Sequence, residues 1–492
     1  MSNLSRRNLI ASGLAATGAA VLPSLLQQAN AGPAVATRFN LATPNGQAML
    51  KKYAQAVKIM KATPPGDPLS WTFQSYTHWV PGATLAPTFK TNAINTIYPA
   101  GSNPQHKALA QQMWDTCQPH GPGMVEDYFL PWHRMYVCFF ENVIRKVLND
   151  NTFTLPYWNY SVPAGYPLPK EFRMPNDPVF GSLFEPKRRA AVNNGQPIYT
   201  GAGVASDLSP AGALAKANYS QVGNVSGFCL ELDQNLHGNV HVFVGTGQNM
   251  GAVPYAAGDP IFWMHHCNID RLWVSWNNAN HSNPATAAWL NKTFVFAGQN
   301  GQPVTAIVKD YSTTAKCGYR YDQLAPAPLV VATTAMLGAV AEPLTVAVMP
   351  AADAVALGAA PVRVNLRPTT AALSTRLESL SENRRLYLIL RNLSAATTPE
   401  AIYRVYLDLP EGVPDDPLNS HYAGSFNFFD AAGHEEHAAH ASKPYSYDIT
   451  TVVANLQARG VLKPEHTVTI VPSGQPSAEA KPVVGEISIV EQ

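Results

Sequence analysis

The pattern that most constrains this chain is a pair of histidines separated by three residues, followed later by two adjacent histidines. His237 and His241 stand in the segment HGNVH, and His265 and His266 stand in WMHH. On a helix, His237 and His241 lie one turn apart on one face, so both rings can reach the same ion. Adjacent helical positions point about 100° apart, so only one of the later pair can join that ion. The pattern predicts a metal site shared by two helices.

The type of metal follows from the donor set. A zinc-protease site requires a glutamate directly after the first histidine, and here that position is Gly238, which disfavours proteolysis. A second cluster upstream offers His78, His120 and His133. Imidazoles with few nearby carboxylates or thiolates suit copper better than magnesium, calcium or iron–sulfur clusters, although zinc, iron and nickel also accept imidazole.

Two segments carry a specific resemblance. FLPWHR at 129–134 and DPIFWMHH at 259–266 resemble the two copper signatures of the tyrosinase, catechol oxidase and molluscan haemocyanin superfamily. The resemblance implies two copper ions that bind dioxygen as co-substrate, a small phenolic substrate and o-quinone products. It also implies a first copper held by His78, His120 and His133 and a second held by His237, His241 and His266, with His265 as a neighbour.

The spacing around His120 departs from the family pattern. His120 lies further ahead of His133 than the second ligand usually does, so His106 is kept as the reserve candidate. Several relatives join a cysteine to that second histidine through a thioether, usually with one residue between them. Here two residues separate Cys117 from His120, so a thioether and a small buried thiol both stay open.

Hydroxylation of monophenols depends, in some relatives, on an asparagine after the first ligand of the second copper and a nearby glutamate. Together they hold a water that deprotonates the phenol. Gly238 stands at the asparagine position, Asn239 follows it, and Asp233 lies where the glutamate often sits. Asp233 and Asn239 are therefore the candidates for this catalytic role, and a solvated or capping aspartate is the alternative for Asp233.

Substrate access is assigned to Val253 and Phe262. Val253 lies where plant relatives tend to place a bulky gate and bacterial tyrosinases a small residue, which favours an open site. Phe262 is expected either to orient the phenol or to fill the core, as most aromatic residues beside metal helices do.

Composition limits the remaining choices. The chain has 492 residues, which is too long for one ordinary domain, and a net charge of +1 without a basic tract. Nucleic acid and anionic membranes are therefore not expected as partners, and no membrane anchor is expected. Five scattered cysteines are too few for a disulfide scaffold. Whether the chain forms an oligomer is left open.

The first residues resemble a targeting signal. SRRNLI at 5–10 resembles a bacterial twin-arginine motif, and an apolar run leads to ANA at 29–31, a typical cleavage pattern. We expect residues 1–31 to be a signal peptide. The twin-arginine route carries folded proteins, so the expected destination is periplasmic or extracellular.

Residues 32–325 are expected to form a mainly α catalytic domain. Helical periodicity at 45–61, 105–117 and 134–148 and around both histidine pairs predicts a four-helix-bundle core that holds the coppers. Tyr319-Arg320-Tyr321 resembles the tyrosine motif that closes this domain in plant and fungal relatives. Arg38 is its expected partner, and an ordinary strand is the alternative.

The rest of the chain has a different composition. Residues 326–343 read as a linker, and 344–492 carry short alternating apolar runs that predict a β-sandwich. AGSF at 423–426 resembles the C-terminal domain of plant-type polyphenol oxidases, which covers the copper site and keeps the enzyme latent. We therefore expect this domain to act as a lid. His434, His437 and His440 are expected to form either a transient copper site or a solvated loop that titrates near pH 6 to 7.

The sequence thus predicts a copper-dependent phenol oxidase that oxidises o-diphenols and hydroxylates monophenols. Gly238 keeps open a catechol or o-aminophenol oxidase without monophenol activity. An oxygen-binding, haemocyanin-like protein is the other alternative, against which a single site per chain and a bacterial export signal both argue.

Overall fold

The computed structural model describes residues 35–81, 88–118, 126–199, 206–328, 343–349, 354–369, 372–380, 384–431 and 443–492. Val35–Gln492 form one unit by the density of their contacts. The predicted signal peptide, His120 and the trio His434, His437 and His440 lie outside the described residues, as does most of the predicted linker.

Helices dominate the first two thirds of the described chain. A π-helix at Leu232–His237 leads directly into the helix that carries His241. The α-helices are α1 (Pro44–Ala62), α2 (Trp71–His78), α3 (Thr88–Ile97), α4 (Pro104–Met113), α5 (Phe129–Leu148), α6 (Ala190–Asn193), α7 (Ala211–Leu214), α8 (Phe228–Glu231), α9 (Gly238–Val244), α10 (Val253–Ala256), α11 (Ile261–Asn278), α12 (Ala287–Leu290), α13 (Val308–Tyr311), α14 (Thr314–Cys317), α15 (Leu373–Glu378) and α16 (Thr450–Ala458).

Strands dominate the last third. They are β1 (Ala36–Arg38), β2 (Thr293–Ala297), β3 (Pro303–Ile307), β4 (Tyr319–Tyr321), β5 (Leu344–Val348), β6 (Val355–Ala356), β7 (Val362–Asn365), β8 (Arg367–Pro368), β9 (Leu386–Ser394), β10 (Tyr403–Leu407), β11 (Tyr422–Phe426), β12 (Tyr445–Asp448), β13 (Thr467–Pro472) and β14 (Val483–Glu491).

Two sheets form the C-terminal domain. One has the order β11-β10-β13-β7, and the other has the order β12-β9-β14-β5-β8 with β6 paired to β14. Most of their apolar side chains, such as Val405 and Ile487, meet in one shared core. Short strands buried on one face and paired in this way form a β-sandwich, as predicted.

The helices that carry His133, His265 and His266 lie in a separate core. α5 and α11 are buried along most of their length. α1 packs beside α5, and its start is fixed by Thr43, whose hydroxyl accepts a hydrogen bond from the Gly46 amide at 3.1 Å. The predicted mainly α catalytic domain with a C-terminal β-sandwich is confirmed.

The two ends of the catalytic domain meet as predicted. β1 pairs in parallel with β4, and the Arg38 guanidinium lies 3.7 Å from the centre of the Tyr319 ring. Arg38 also donates to Asp270 on α11 at 3.4 Å, and Arg134 on α5 donates to the same carboxylate at 2.5 Å. Burial alone would raise the pKa of Asp270, but Arg134 and Arg38 lower it below its usual range. This buried ion cluster ties α5 and α11 to the closing strands.

Candidate metal centre

The second histidine group lies where the π-helix and α9 face α11. His237, His241, His265 and His266 are buried, and their nearest ring nitrogens all lie within 4.8 Å of one another. His237 is the last residue of the π-helix and His241 lies one turn further on, so their rings share a face as the spacing predicted. α11 presents His265 and His266 to them from the opposite side.

Hydrogen bonds fix which nitrogen faces the centre of this group. Nδ1 of His241 lies 2.7 Å from the Met250 carbonyl, and Nδ1 of His237 lies 3.1 Å from the Asp233 carbonyl. A carbonyl only accepts, so both Nδ1 atoms carry the proton and both Nε2 atoms present a lone pair. Those Nε2 atoms are 3.1 Å apart. Two converging lone pairs with no proton between them fit a shared cation.

Unsatisfied nitrogens on α11 point to the same conclusion. Neither ring nitrogen of His265 or His266 has a hydrogen-bond partner among the described residues, although both residues are buried. Buried polar atoms without partners are uncommon and costly. The donor set therefore fits a metal ion, and it offers both His265 and His266 to the ion, so the geometry does not choose between them.

Burial keeps the rings of His241, His265 and His266 in the form that binds metal. The pKa of His241 and that of His266 lie well below the usual histidine range, mainly because burial disfavours the charged ring. Burial lowers the pKa of His265 in the same way, and the neighbouring His237 lowers it further. Neutral imidazole is the ligand form, so protons compete weakly with a metal here.

The first group contains two of the three predicted histidines. His78 at the end of α2, His133 one turn into α5 and Cys117 after α4 are buried, with ligand atoms within 4.8 Å of one another. Nδ1 of His133 lies 2.8 Å from the Phe129 carbonyl and donates its proton to it, so Nε2 again carries the lone pair that a metal can bind. Cys117 Sγ lies 3.5 Å from that Nε2. The proposed thioether to His120 falls outside the described residues, and His106, on α4, belongs to neither group.

The two groups adjoin each other. The rings of His133 and His266 are stacked with centres 4.3 Å apart. Phe262 lies between the groups, with its ring centre 5.0 Å from that of His78 and 4.2 Å from that of His266. Phe262 and Val253, at the start of α10, are both buried here. Their assigned role in substrate access stays a prediction.

The candidate water-holding residues have other partners. The Asp233 carboxylate lies 3.1 Å from Nδ1 of His237 and 3.5 Å from the Lys443 ammonium. The Asn239 amide donates to the Asp207 carbonyl at 3.1 Å and accepts from the Asn427 amide at 3.0 Å. Asp233 therefore lies beside His237 of the second group, whereas Asn239 is engaged by the C-terminal domain.

The C-terminal domain covers the second group directly. Phe429, which follows β11, stacks on His241 with ring centres 4.2 Å apart and planes 16° apart, and its ring centre lies 5.7 Å from that of His237. Phe429 belongs to the catalytic core, whereas Phe428 belongs to the β-sandwich core. Sequence reasoning missed Phe429 and Asn427. The one signal was their position directly after the AGSF motif.

Comparison with known proteins identifies the family. Residues 100–224 and 185–279 match the model described as the common central domain of tyrosinase, and 333–492 match a domain of unknown function, DUF7868. Over 475 residues the chain is 30% identical to a curated bacterial relative, covering 89% of this chain and 96% of the relative. The chain belongs to the tyrosinase family and is an enzyme of the tyrosinase and catechol oxidase class.

The bacterial relative is the tyrosinase HcTyr1 of Hahella sp. (strain CCB-MM4). A chloroplastic polyphenol oxidase of Malus domestica is 26% identical over 423 residues, covering 77% of this chain and 66% of the relative. Latent apple tyrosinase superposes with a TM-score of 0.60 at 22% identity, covering 94% of this chain and 98% of its own. A functional unit of octopus haemocyanin reaches 0.51 at 15% identity, covering 92% and 99%. The structural likenesses show a shared fold.

None of the described helices is both long enough and apolar enough to cross a membrane. The prediction of a phenol oxidase of this family is confirmed.

Proposed function

We propose that this protein is a dicopper enzyme that uses dioxygen to oxidise o-diphenols, and to hydroxylate monophenols, to o-quinones. The observation that carries the proposal is the pair of Nε2 atoms of His237 and His241, 3.1 Å apart with both Nδ1 protons committed to carbonyls. The stacking of His266 on His133 of the first group, with ring centres 4.3 Å apart, supports a pair of ions rather than one.

The ligands are assigned by group. His237, His241 and His266 would hold the second copper, and His78 and His133 would hold the first together with His120. The bound copper pair supplies dioxygen binding and the exchange of electrons with the phenol. The chain supplies neutral imidazoles, a dry surrounding and a shaped entrance.

The role of the aromatic walls follows from their positions. Phe129 lies against both His133 and His237, with ring centres 4.7 Å apart in each case, and Phe262 lies against both groups. These rings exclude water from the centre and hold the imidazole planes in place. Asp233, beside His237, is the candidate acceptor for the proton of an incoming phenol.

A narrower activity has its own support. Gly238 has no side chain with which to hold a water, and the Asn239 amide is engaged by Asp207 and Asn427. An oxidase limited to catechols or o-aminophenols would need neither group. The substitution Gly238→Asn, tested after removal of the C-terminal domain, is expected to raise tyrosine turnover relative to catechol turnover if the missing asparagine is the limit.

We also propose that the C-terminal domain keeps the enzyme latent. Phe429 covers His241 on the side that adjoins the β-sandwich, and a phenol cannot occupy that space while the ring is there. This supports a lid that is relieved by proteolysis, low pH or detergent. The domain boundaries that we propose are 32–325, 326–343 and 344–492.

Oxygen consumption tests the proposal. Copper-loaded protein is assayed with 4-tert-butylcatechol, tyrosine and o-aminophenol, before and after limited proteolysis, with His241→Ala as the inactive control. Oxidation of catechol and tyrosine that increases after cleavage is expected. Catechol or o-aminophenol turnover alone would favour the narrower oxidase. Reversible oxygen binding without turnover would favour the haemocyanin-like alternative, and equal activity before and after cleavage would reject the lid.

Export is proposed separately, from the twin-arginine motif at 5–10. A reporter fused after residue 40 of this chain should appear in the periplasm or medium of a bacterial host. Replacing Arg6 and Arg7 by lysine should retain it in the cytoplasm. Export of the lysine variant at the original level would reject the assignment.

A further inference from the structure

The orientation of His241 depends on a loop rather than on its own helix. α9 ends at Val244, and the chain then turns back so that the Met250 carbonyl accepts the Nδ1 proton of His241 at 2.7 Å. Partners of this kind orient a ligand ring and set its basicity. Whatever fixes the loop at 245–250 therefore also fixes the direction of the Nε2 lone pair of His241.

Within the catalytic domain, the loop is fixed near Met250. The Asn249 amide donates to the Asp259 carboxylate at 2.8 Å. Asp259 lies just ahead of α11 and is held by Arg188 through two buried hydrogen bonds of 2.7 and 2.6 Å. This network links the loop to the helix that carries His265 and His266.

The other part of the loop is fixed by the C-terminal domain. The amide of Gly247 donates to the Glu400 carboxylate at 2.8 Å. Arg189 donates through Nε to the Val242 and Gly245 carbonyls at 2.8 and 3.1 Å, and through Nη2 to the backbone carbonyl of Glu400. Arg189 thus connects the end of α9 to Glu400.

Glu400 has an uncommon backbone conformation. Its φ is +60°, in the left-handed region that residues with a side chain seldom adopt. Such a conformation persists when the surroundings over-determine it. Here the Gly247 amide binds the side chain, while Arg189 binds the main chain. The backbone conformation of Glu400 is therefore held by the catalytic domain, through contacts with both its side chain and its main chain.

We propose that Glu400 is a positioning residue for the second copper ligand His241, and that the docked C-terminal domain therefore strengthens copper retention at the second site. The chain of contacts runs from Glu400 to Gly247, along the loop to Met250, and from the Met250 carbonyl to His241. This inference rests on the dicopper function proposed above. It assigns the C-terminal domain a second role, as part of the support of the metal site it covers.

Copper retention in the full-length protein tests the inference without measuring turnover. Copper-loaded wild type, Glu400→Ala, Glu400→Gln and Glu411→Ala are challenged with a chelator, and the copper left per chain is followed by elemental analysis. Glu411 is an exposed glutamate of the same domain and serves as the matched control. The glutamine retains an oxygen that can accept from Gly247.

We expect Glu400→Ala to lose its second copper about five- to tenfold faster than wild type. Replacing a residue that hydrogen-bonds directly to a metal ligand lowers metal affinity about 10- to 100-fold, and Glu400 acts through Gly247 and Met250, so its effect should be smaller. About one copper per chain should then survive, which also shows that the variant is folded. Glu400→Gln should stay within about twofold of wild type. Equal retention in Glu400→Ala and wild type would overturn the inference. A wild type that binds fewer than two coppers would instead reject the dicopper proposal.

A second measurement uses thermodynamic reciprocity. If docking strengthens copper binding, copper must strengthen docking by the same factor. Proteolytic release of the C-terminal domain should therefore be slower in copper-loaded than in copper-free wild type, and this difference should shrink in Glu400→Ala. A cleavage rate that does not depend on copper would contradict the coupling.

Discussion

The two ligand groups differ in what holds them. The first is built from α2, the segment after α4 and α5, and its ring contacts are with residues of the catalytic domain such as Trp132, Tyr136 and Phe262. The second is contacted from both domains, with Phe429 on His241 and Asn427 on the π-helix. Moving the C-terminal domain away should therefore change the surroundings of the second copper and leave the surroundings of the first copper unchanged.

The largest effect is expected within the second group itself. His266→Ala should lower catechol turnover by more than about 100-fold. Losing a hydrogen-bond partner of a ligand costs up to about 100-fold, and losing the ligand itself should cost more. His265→Ala should lower it by less than about tenfold, because His265 is assigned as a neighbour. Copper content and oxygen consumption measure both. The opposite ranking would exchange the roles of the two histidines, which the geometry leaves open.

The next effect concerns the ring that covers His241. Phe429→Ala should raise the activity of the uncleaved protein by about 30-fold, since losing a central aromatic anchor costs about 2 kcal/mol of docking free energy. Leu418→Ala, at an exposed apolar side chain of the same domain, should change nothing. After the domain has been removed by proteolysis, Phe429→Ala and wild type should be indistinguishable. Uncleaved Phe429→Ala that is no more active than wild type would contradict the covering role.

A smaller effect is expected at Gly238. A Cβ there would lie 2.7 Å from Nδ2 and 2.9 Å from Oδ1 of Asn427. The backbone is helical, with φ −60° and ψ −39°, so alanine suits the helix, and the three atoms nearest to its Cβ all belong to Asn427 of the docked domain. Overpacking of this kind costs about 1.5 kcal/mol, which predicts roughly tenfold higher activity of uncleaved Gly238→Ala.

The double variant Gly238→Ala with Asn427→Ala separates this cause from others. Removing the Asn427 amide removes the close contact, so Gly238→Ala should have little further effect in that background. Activity assays of all four proteins, before and after cleavage, complete the cycle. A Gly238→Ala effect that persists after cleavage would mean that the glycine acts on the copper site directly.

The smallest effect belongs to Lys443. Its ammonium lies 3.5 Å from the buried Asp233 carboxylate and 3.4 Å from that of Asp430, and the lysine side chain is 20% exposed. Partly exposed ion pairs contribute about 0.5 kcal/mol, so Lys443→Ala should raise the activity of the uncleaved protein about twofold. High salt should reduce the difference from wild type. A change as large as that of Phe429→Ala would place the main docking energy at this charge instead.

The sequence predicted the parts of the molecule that local patterns encode. The helix predicted at 45–61 is observed at Pro44–Ala62, and the alternating run at 402–407 contains the strand Tyr403–Leu407. The face shared by His237 and His241 and the contact of Arg38 with Tyr319 were also predictable, the first from spacing and the second from the family resemblance.

The contacts across the domain interface could not be predicted in this way. Phe429 and His241 are far apart in the chain, and no periodicity links them. Glu400 and Gly247 likewise show no local pattern that indicates their hydrogen bond. β11 ends at Phe426, before Phe428 and Phe429, so strand alternation does not indicate which of these two rings faces the catalytic domain. Which of these residues contacts the catalytic domain depends on how the two folded cores pack against each other.

The π-helix that ends at His237 requires a fixed number of residues in this segment as well as a suitable composition. The Asp233 carbonyl accepts both the Gly238 amide, five residues on, and the Nδ1 proton of His237. A deletion of one residue between 232 and 237 would tighten the turn to an ordinary helix and rotate Asp233 away from the ring by about 100°. Insertions and deletions here should therefore impair metal binding even where single substitutions are tolerated. Evolution of this segment should then preserve its length more strictly than its residue types.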